Sequence, residues 1–176
     1  DRLHSVVPHP LRQECLTAGN DKTLRVWNLE TKKLMSHVDL PDIARCGCYA
    51  PNGQIVIAGL GGDVLGKDRT LPRDFDGKVA IISYLQGVLN IVHVAGDAQE
   101  AITCCSFTNS GGKLYCGSLD SNIYVYDALD SFKLVNTLKV HSDGLASIDM
   151  SVDGSFMLTN GVEDEVITWD LSTDSP

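Results

Sequence analysis

The stretch of sequence that decides the fold is residues 113–127, KLYCGSLDSNIYVYD. It reads as an apolar strand that ends near Gly117, a turn that carries Asp120, and a second apolar strand that ends in Tyr126, six positions after the aspartate. Two apolar, aromatic-rich runs on either side of a short polar turn predict an antiparallel β-hairpin.

The same scheme occurs in other segments of the chain. Residues 14–28, ECLTAGNDKTLRVWN, repeat the six-position spacing from Asp21 to Trp27. A less regular copy joins residues 54–59 to residues 78–84 across an insertion. Self-similarity of this kind is the signature of a repeat architecture.

The last copy, residues 156–170 (FMLTNGVEDEVITWD), keeps the spacing when Glu163 takes the acidic position. Successive strand-end aromatic residues are then 57, 42 and 43 residues apart, and the insertion accounts for the longest step. A repeat of about 40–45 residues is typical of WD-type β-propeller blades. The four aromatic residues, which we predict to pack between blades, are Trp27, Tyr84, Tyr126 and Trp169.

These repeats predict an all-β fold, a single partial WD-repeat β-propeller of about four four-stranded antiparallel blades. Turn signals such as Pro-Asn-Gly at residues 51–53 precede each strand that ends in Gly. The last blade has no segment for its outer strand, so we expect an open ring with exposed edges, either a truncated array or one that self-associates. Within residues 1–176, the predicted blades are residues 1–40, 41–95 with an insertion at 61–77, 96–140 and 141–176.

Composition indicates a soluble, intracellular protein without a metal centre. Hydrophobic residues make up 43% of the chain, but no apolar run approaches the roughly 18 residues of a membrane helix. The six cysteines lie in or beside apolar runs, as expected for buried free thiols in a reducing compartment. The pairs at residues 46 and 48 and at 104 and 105 lack the two-residue gap typical of zinc knuckles. We therefore predict no bound metal and no cofactor.

Charge is distributed unevenly between the two halves of the chain. Residues 1–78 hold 11 basic and 10 acidic side chains, whereas residues 79–176 hold 3 basic and 13 acidic ones. Nucleic-acid binding requires clustered Lys and Arg to displace counterions from phosphates. The acidic second half therefore argues against a nucleic acid as partner, and the absence of a long apolar run argues against a membrane.

Several of these motifs resemble the blades of the echinoderm microtubule-associated protein-like family. Residues 115–126, YCGSLDSNIYVY, are similar to a GS-D-IY-Y blade of that family, and residues 158–170 are similar to its SN-D-E-WD sequence. The resemblance covers most of the chain except about residues 61–77 and indicates blades of the atypical second propeller. A further blade, HP-FLT-G-DK-VR-W, is matched by His9, Pro10, Leu16, Thr17, Gly19, Asp21, Lys22, Arg25 and Trp27.

The resemblance implies a non-enzymatic scaffold that binds proteins, within a microtubule-associated protein of the cytoplasm and cytoskeleton. The acidic second half would be repelled by acidic tubulin surfaces, so we expect this chain alone to bind microtubules weakly. One alternative is a WD-repeat adaptor of another intracellular complex without a cytoskeletal role. A second alternative, a propeller-shaped hydrolase, would need polar and acidic residues that converge on the central channel.

The insertion supplies the candidate partner-binding residues. Lys67, Arg69 and Arg73 form a basic loop on an otherwise acidic body, and the alternative interpretation is a solvated, mobile segment. The run GGDVLGKD at residues 61–68 approaches the phosphate-binding pattern GxxxxGK[ST]. Asp68 lacks the hydroxyl group that would hold magnesium, so we do not expect nucleotide binding.

Eight further residues are predicted to have structural roles. His141, Asn160, Glu163 and Trp169 occupy positions where WD blades often carry a buried polar network between loop, turn and strand. A catalytic role for His141 would need a nucleophile and oxyanion donors in a shared cleft, which nothing in the sequence assembles. The remaining four are the turn aspartates and strand-end aromatic residues Asp21, Trp27, Asp120 and Tyr126.

Overall fold

The computed structural model describes residues 2–62, 74–139 and 141–173. Within these ranges the chain forms fifteen β-strands, and no described helix is long and apolar enough to cross a membrane. The strands are β1 (Leu3–Pro8), β2 (Glu14–Gly19), β3 (Thr23–Asn28), β4 (Leu34–Asp39), β5 (Ala44–Tyr49), β6 (Ile55–Leu60), β7 (Val79–Leu85), β8 (Val88–Ala95), β9 (Ile102–Phe107), β10 (Lys113–Ser118), β11 (Ile123–Asp127), β12 (Lys133–Leu138), β13 (Leu145–Met150), β14 (Phe156–Gly161) and β15 (Val166–Asp170).

The strands assemble into four antiparallel sheets in chain order. Strands β1 to β4, β5 to β8 and β9 to β12 form four-stranded meanders, and β13 to β15 form a sheet with three described strands. The first strand of each sheet contacts the first strand of the next, β1 with β5, β5 with β9 and β9 with β13. The sheets are therefore blades of a β-propeller with β1, β5, β9 and β13 as inner strands, which confirms the predicted fold class. We number them blades 1 to 4.

The turns after the inner strands of blades 2, 3 and 4 share one conformation. Gly53, Gly111 and Gly154 have φ values of 69°, 75° and 73°, a left-handed region in which glycine has no side-chain clash. Each glycine N–H donates to the carbonyl three residues earlier, at 2.8 to 2.9 Å. These glycines explain why the turn signals read from the sequence lie at the ends of the inner strands.

Strand register corrects one of the predicted repeat positions. Trp27 pairs with Cys15, Tyr126 with Leu114 and Trp169 with Met157, but the equivalent residue of blade 2 is Ile82, which pairs with Val56. Tyr84 lies two residues further along β7, which is longer than the third strands of the other blades. The insertion before β7 hides this shift, because a residue count across it does not report strand pairing.

The core consists of three layers, one between each pair of neighbouring blades. The first contains residues such as Leu16 and Val56, the second Ile57 and Leu114, and the third Tyr115 and Met157. In β6 and β10 alternate residues face the preceding and the following blade, as the period of a β-strand requires. Each blade is thus covered on both sides wherever it has two neighbours.

A buried hydrogen bond supplements the apolar layer between blades 1 and 2. Tyr84 donates from its hydroxyl group to Glu14 Oε2 at 2.9 Å, and Arg12 Nη1 lies 4.0 Å from the same carboxylate oxygen. Burial and this bond raise the pKa of Tyr84 to about 12. Tyr84 therefore contributes to contact between blades, although at a different register position from the other strand-end aromatic residues.

All six cysteines are free, and four of them meet between blades 2 and 3. The Sγ atoms of Cys46 and Cys105 are 3.6 Å apart, and Cys48 and Cys116 belong to the same buried layer. Burial raises the pKa of the Cys48 and Cys116 thiols. The described residues contain no group of three or more His, Cys, Asp or Glu side chains arranged to hold a metal ion.

Candidate protein-interaction groove and supporting polar network

A groove opens where the four inner strands end on one face of the blades. Pro8, Tyr49, Phe107 and Met150 occupy equivalent register positions at these strand ends. The groove has a volume of about 640 Å³. Its lining residues are Val7, Pro8, Pro10, Cys48, Tyr49, Pro51, Ser106, Phe107, Thr108, Asn109, Met150, Ser151 and Val152.

The described residues that line this groove include no Asp, Glu, Lys, Arg or His. Val152 is fully exposed at its rim, and Phe107 is buried at its floor. Asn109 holds blades 3 and 4 together at the same place, because its Nδ2 donates to the carbonyl oxygens of Ser151 at 3.1 Å and Val152 at 2.8 Å. The groove is therefore an uncharged surface whose blade 3 and blade 4 walls are fixed to each other.

A chain of hydrogen bonds at the opposite ends of the strands fixes blade 4. Trp169 Nε1 donates to Thr159 Oγ1 at 2.8 Å, Thr159 Oγ1 lies 2.7 Å from His141 Nε2, and His141 Nδ1 lies 2.9 Å from Glu165 Oε2. A carboxylate only accepts hydrogen bonds, so Nδ1–H donates to Glu165, while Nε2 pairs with the hydroxyl group of Thr159. The side chains of Trp169, Thr159, His141 and Glu165 thus all have hydrogen-bond partners within this network.

The network contains two of the predicted residues, His141 and Trp169, but not with the predicted partners. Thr159 and Glu165 occupy the places that the sequence analysis assigned to Asn160 and Glu163, and Glu163 is exposed. The N–H of Ser142 also donates to Glu165 at 2.9 Å, and this bond together with His141 holds the pKa of Glu165 below its usual value. The printed hydrogen bonds of the network therefore involve Thr159 and Glu165, and structural roles for Asn160 and Glu163 stay a prediction.

One sequence signal could have found Thr159. In blade 1, Trp27 Nε1 donates to Thr17 Oγ1 at 2.9 Å, and Thr17 lies ten positions before Trp27, as Thr159 lies before Trp169. The repeated Thr–Trp spacing therefore marks a repeated side-chain contact. Glu165 has no such counterpart, since its position depends on the path of the turn between β14 and β15.

The sequence of the chain also matches a known protein family. A family model described as the echinoderm microtubule-associated protein second beta-propeller matches residues 3–176. The chain belongs to this family. The match confirms the resemblance inferred from the blade motifs, including its assignment to the second propeller.

Individual relatives agree with the family assignment. The chain is 27% identical over 98% of its length to the human echinoderm microtubule-associated protein-like 3, of which it covers 18%. It is 27% identical to the rat echinoderm microtubule-associated protein-like 2, of which it covers 25%. The ciliary WD repeat-containing protein ctxp80 of Euplotoides octocarinatus is 29% identical over 81% of the chain, which covers 21% of that protein. The chain thus spans a quarter or less of each of these relatives.

In this member of the echinoderm microtubule-associated protein family, the turn aspartates accept hydrogen bonds from residues of their own hairpins and of neighbouring loops. Asp120 accepts hydrogen bonds from Tyr124 Oη at 2.8 Å, the Gln99 N–H at 2.8 Å and the Asn122 N–H at 3.1 Å. Asp21 accepts from the Thr23 N–H at 3.2 Å. Both aspartates therefore close the turn between the second and third strands of their blades.

Replacing Asp120 by Asn is expected to lower the free energy of unfolding by about 1–2 kcal/mol at pH 7, because hydrogen bonds to a charged acceptor are stronger than neutral ones. Burial opposes ionisation, but the bonds from Gln99, Tyr124 and Asn122 lower the pKa of Asp120 below 3.8. Because the pKa of Asp120 is lower in the folded chain than in the unfolded chain, the ionised carboxylate stabilises the fold at pH values above the unfolded-state pKa. This stabilisation is lost as the pH falls through the folded-state pKa.

Urea unfolding between pH 7 and pH 2 checks this expectation. The difference between the parent chain and Asp120→Asn should shrink as the pH falls below about 4, because Asp120 is protonated first in the unfolded chain and, at lower pH, in the folded chain. The exposed Asp130→Asn is the matched control and should change stability by less than about 0.5 kcal/mol. An equal loss in both variants would show that the bonds of Asp120 are not responsible.

The loops beyond these turns form an acidic face opposite the groove. They carry acidic side chains from the connections between blades and from the turns between second and third strands. These residues are Asp97, Glu100, Asp120, Asp143, Glu163, Asp164 and Glu165. The described residues that line the groove are thus uncharged, whereas the loops of blades 3 and 4 at the opposite ends of the strands are rich in acidic side chains.

The basic candidates of the insertion, Lys67, Arg69 and Arg73, lie outside the described residues, as does most of the phosphate-loop-like run at residues 61–68. The proposed binding of an acidic partner by these three side chains stays a prediction.

Proposed function

We propose that this chain is part of a non-enzymatic protein-interaction scaffold within a microtubule-associated protein of the cytoplasmic cytoskeleton. The observation that carries the proposal is the family match over residues 3–176, with relatives whose names describe microtubule association. The chain covers only part of those relatives, and microtubule association by this chain is part of the proposal.

The groove is the surface to which we assign contact with the partner. An extended apolar segment can enter it without removing water from a charged side chain, and such desolvation is costly for buried charges. The tight turns at Gly53, Gly111 and Gly154 and the Asn109 bonds fix the groove walls. A fixed wall reduces the conformational entropy that is lost on binding.

The acidic face is a less favourable contact for a microtubule. Tubulin surfaces are acidic as well, and like charges on two surfaces repel each other and lower the rate of encounter. A segment held in the groove would approach from the other end of the strands, where the lining is uncharged. This geometry favours weak binding that responds little to salt.

The polar network of blade 4 supports a structural role for His141. Its side chain is buried, and both ring nitrogens are engaged by Thr159 and Glu165. A general base needs a nitrogen within reach of a substrate proton. These contacts support our proposal that His141 holds the loop before β13 against β14 and β15.

Co-sedimentation with microtubules tests the proposed function directly. The parent chain should pellet with microtubules, and the bound fraction should change less than about two-fold between 50 and 200 mM salt, because no charged side chain lines the groove. Val152→Asp places a charge at the groove rim and should weaken binding about ten-fold, which corresponds to 1.4 kcal/mol.

The matched control is Val135→Asp, a half-exposed valine on the outer strand β12. It should bind as the parent chain does. Absence of pelleting by the parent chain at any salt concentration would overturn direct microtubule contact. An equal loss in both variants, or a steep decrease with salt, would overturn the assignment to the groove.

A further inference from the structure

On the groove side, the junctions between neighbouring described blades are built in the same way. A residue one or two positions after the inner strand of one blade lies against the turn glycine of the following blade. Only one of these residues is titratable, because proline and asparagine side chains do not ionise. The junction between blades 1 and 2 is therefore chemically different from the other two. In blade order the pairs are His9 with Gly53, Pro51 with Gly111, and Asn109 with Gly154.

Two backbone groups fix the position of the proton on the His9 imidazole. The N–H of Leu11 donates to Nδ1 at 3.0 Å, and Nε2 lies 3.2 Å from the carbonyl oxygen of Gly53. A backbone N–H only donates and a carbonyl only accepts, so Nδ1 carries no proton and Nε2–H donates across the junction. Both hydrogen bonds are therefore made only by the neutral imidazole.

Protonation of His9 is incompatible with this arrangement. A proton on Nδ1 would face the Leu11 N–H, and two donors cannot form a hydrogen bond with each other. The ring is also enclosed, because its centroid lies 4.8 Å from that of Tyr49 and 6.1 Å from that of Tyr84. A Cβ atom at Gly53 would overlap the imidazole. A charged ring therefore cannot turn away without displacing these neighbours.

The surroundings of His9 favour its neutral form. Burial is the largest influence on the pKa of His9 and lowers it below 6.5. Glu14 and the bond to Gly53 raise this pKa, and Arg12 lowers it. The Leu11 N–H acts in the same direction as burial, since it bonds only to the neutral ring. The charged and titratable groups that the described residues place around the imidazole are Glu14 of β2, Arg12 of the turn before it, Tyr49 of β5 and Tyr84 of β7.

The other buried histidine of the described residues, His141, can take up a proton in place. Its Nδ1–H donates to the Glu165 carboxylate, with which a charged ring forms an ion pair. Its Nε2 faces the Thr159 hydroxyl group, which can accept from the ring and donate to the Ile167 carbonyl at 3.4 Å. A charged His141 therefore keeps both partners, whereas a charged His9 loses one.

We propose that His9 is a pH-sensitive contact between blades 1 and 2, which the neutral imidazole closes and protonation opens. The residues on either side of His9, and Pro51 in the turn of Gly53, line the groove. Opening of the contact therefore loosens the blade 1 and blade 2 walls, while Asn109 still holds blades 3 and 4 together. The proposal concerns a contact within the chain and does not depend on any partner of the groove.

Urea unfolding of the parent chain and of His9→Gln at pH 7 and pH 5 tests the proposal. Glutamine keeps an N–H donor for the Gly53 carbonyl but does not titrate. The contact stabilises the fold above the unfolded-state pKa of histidine, and this stabilisation is lost as the pH falls through the lower folded-state pKa. From pH 7 to pH 5, the unfolding equilibrium constant should therefore rise several-fold more in the parent than in the variant. The upper limit is about 25-fold, for one imidazole of pKa near 6.5 that is protonated only in the unfolded chain.

His93→Gln is the matched control, because it makes the same substitution at an exposed position on β8. It should keep the pH dependence of the parent chain. An equal pH dependence in the parent and in His9→Gln, or loss of the pH dependence in His93→Gln as well, would overturn the proposal.

Nuclear magnetic resonance of the parent chain provides a second measurement that needs no variant. The His9 ring should carry its proton on Nε2 at pH 7 and should titrate at lower pH than the exposed His93. The amide signals of Leu11 and Gly53 should change over the same pH range as the His9 ring, whereas that of Asn109 should not. A His9 ring that titrates together with His93, or that titrates without a change at Leu11 and Gly53, contradicts the proposed contact.

Discussion

Replacing Trp169 by Ala is expected to lower the free energy of unfolding by about 3–5 kcal/mol, the range for removal of a buried tryptophan side chain. Trp169 is 1% exposed between blades 3 and 4, and its indole N–H donates to Thr159. Its removal leaves a cavity and also takes one donor from the hydrogen-bonded chain that runs through His141 to Glu165. A loss of this size is a large fraction of the stability of a typical domain.

Trp27→Ala is the matched control for this prediction. Trp27 has the same register position and donates to Thr17 at 2.9 Å, but it is only half-buried. We expect a loss of about 1 kcal/mol, near the centre of the range for point substitutions. Urea unfolding of both variants at the same protein concentration provides the measurement. Equal losses would show that burial between blades is not what distinguishes the two tryptophans.

Leu16→Ala is expected to cost about 2–5 kcal/mol, the range for truncation of a buried leucine. Leu16 is 0% exposed in the layer between blades 1 and 2. The side chain is surrounded by residues such as Leu24 and Val56, which limits collapse around the resulting cavity. Unfolding in urea should show a lower midpoint at an unchanged slope, as for a change in stability alone.

Leu158→Ala separates the effect of residue type from the effect of position. Leu158 has the same register position as Leu16 but is 46% exposed, so the monomer should lose less than about 1 kcal/mol. A large loss in the dilute monomer would contradict the register that equates the two leucines.

Much of the fold was predictable because its signals are local. Strand alternation, the glycine turns and the spacing near 43 residues follow from the two-residue period of a strand and from the backbone freedom of glycine. The spacing failed at Tyr84, because an insertion separates the two halves of blade 2 and strand pairing there follows Ile82. Counting residues reports pairing only where the connection is short.

The candidate site was less predictable than the fold. His141 and Trp169 were recognised by position, whereas Thr159 and Glu165 were not. Two acidic residues, at 163 and 165, are close enough in sequence to compete for one place, and only the path of the turn decides which carboxylate reaches the imidazole ring. The groove could not be found from sequence, since its lining comes from four separate turns.

The sequence by itself determined the repeat, the all-β class, the family and the charge difference between the two halves, because each is a property of neighbouring residues or of composition. Tertiary structure alone decided which residues meet: Glu165 with His141, Tyr84 with Glu14, and the strand ends that line the groove. These contacts join residues that are far apart in sequence. They depend on how one twisted sheet packs on the next, since side-chain packing between blades sets which polar groups come within bonding distance.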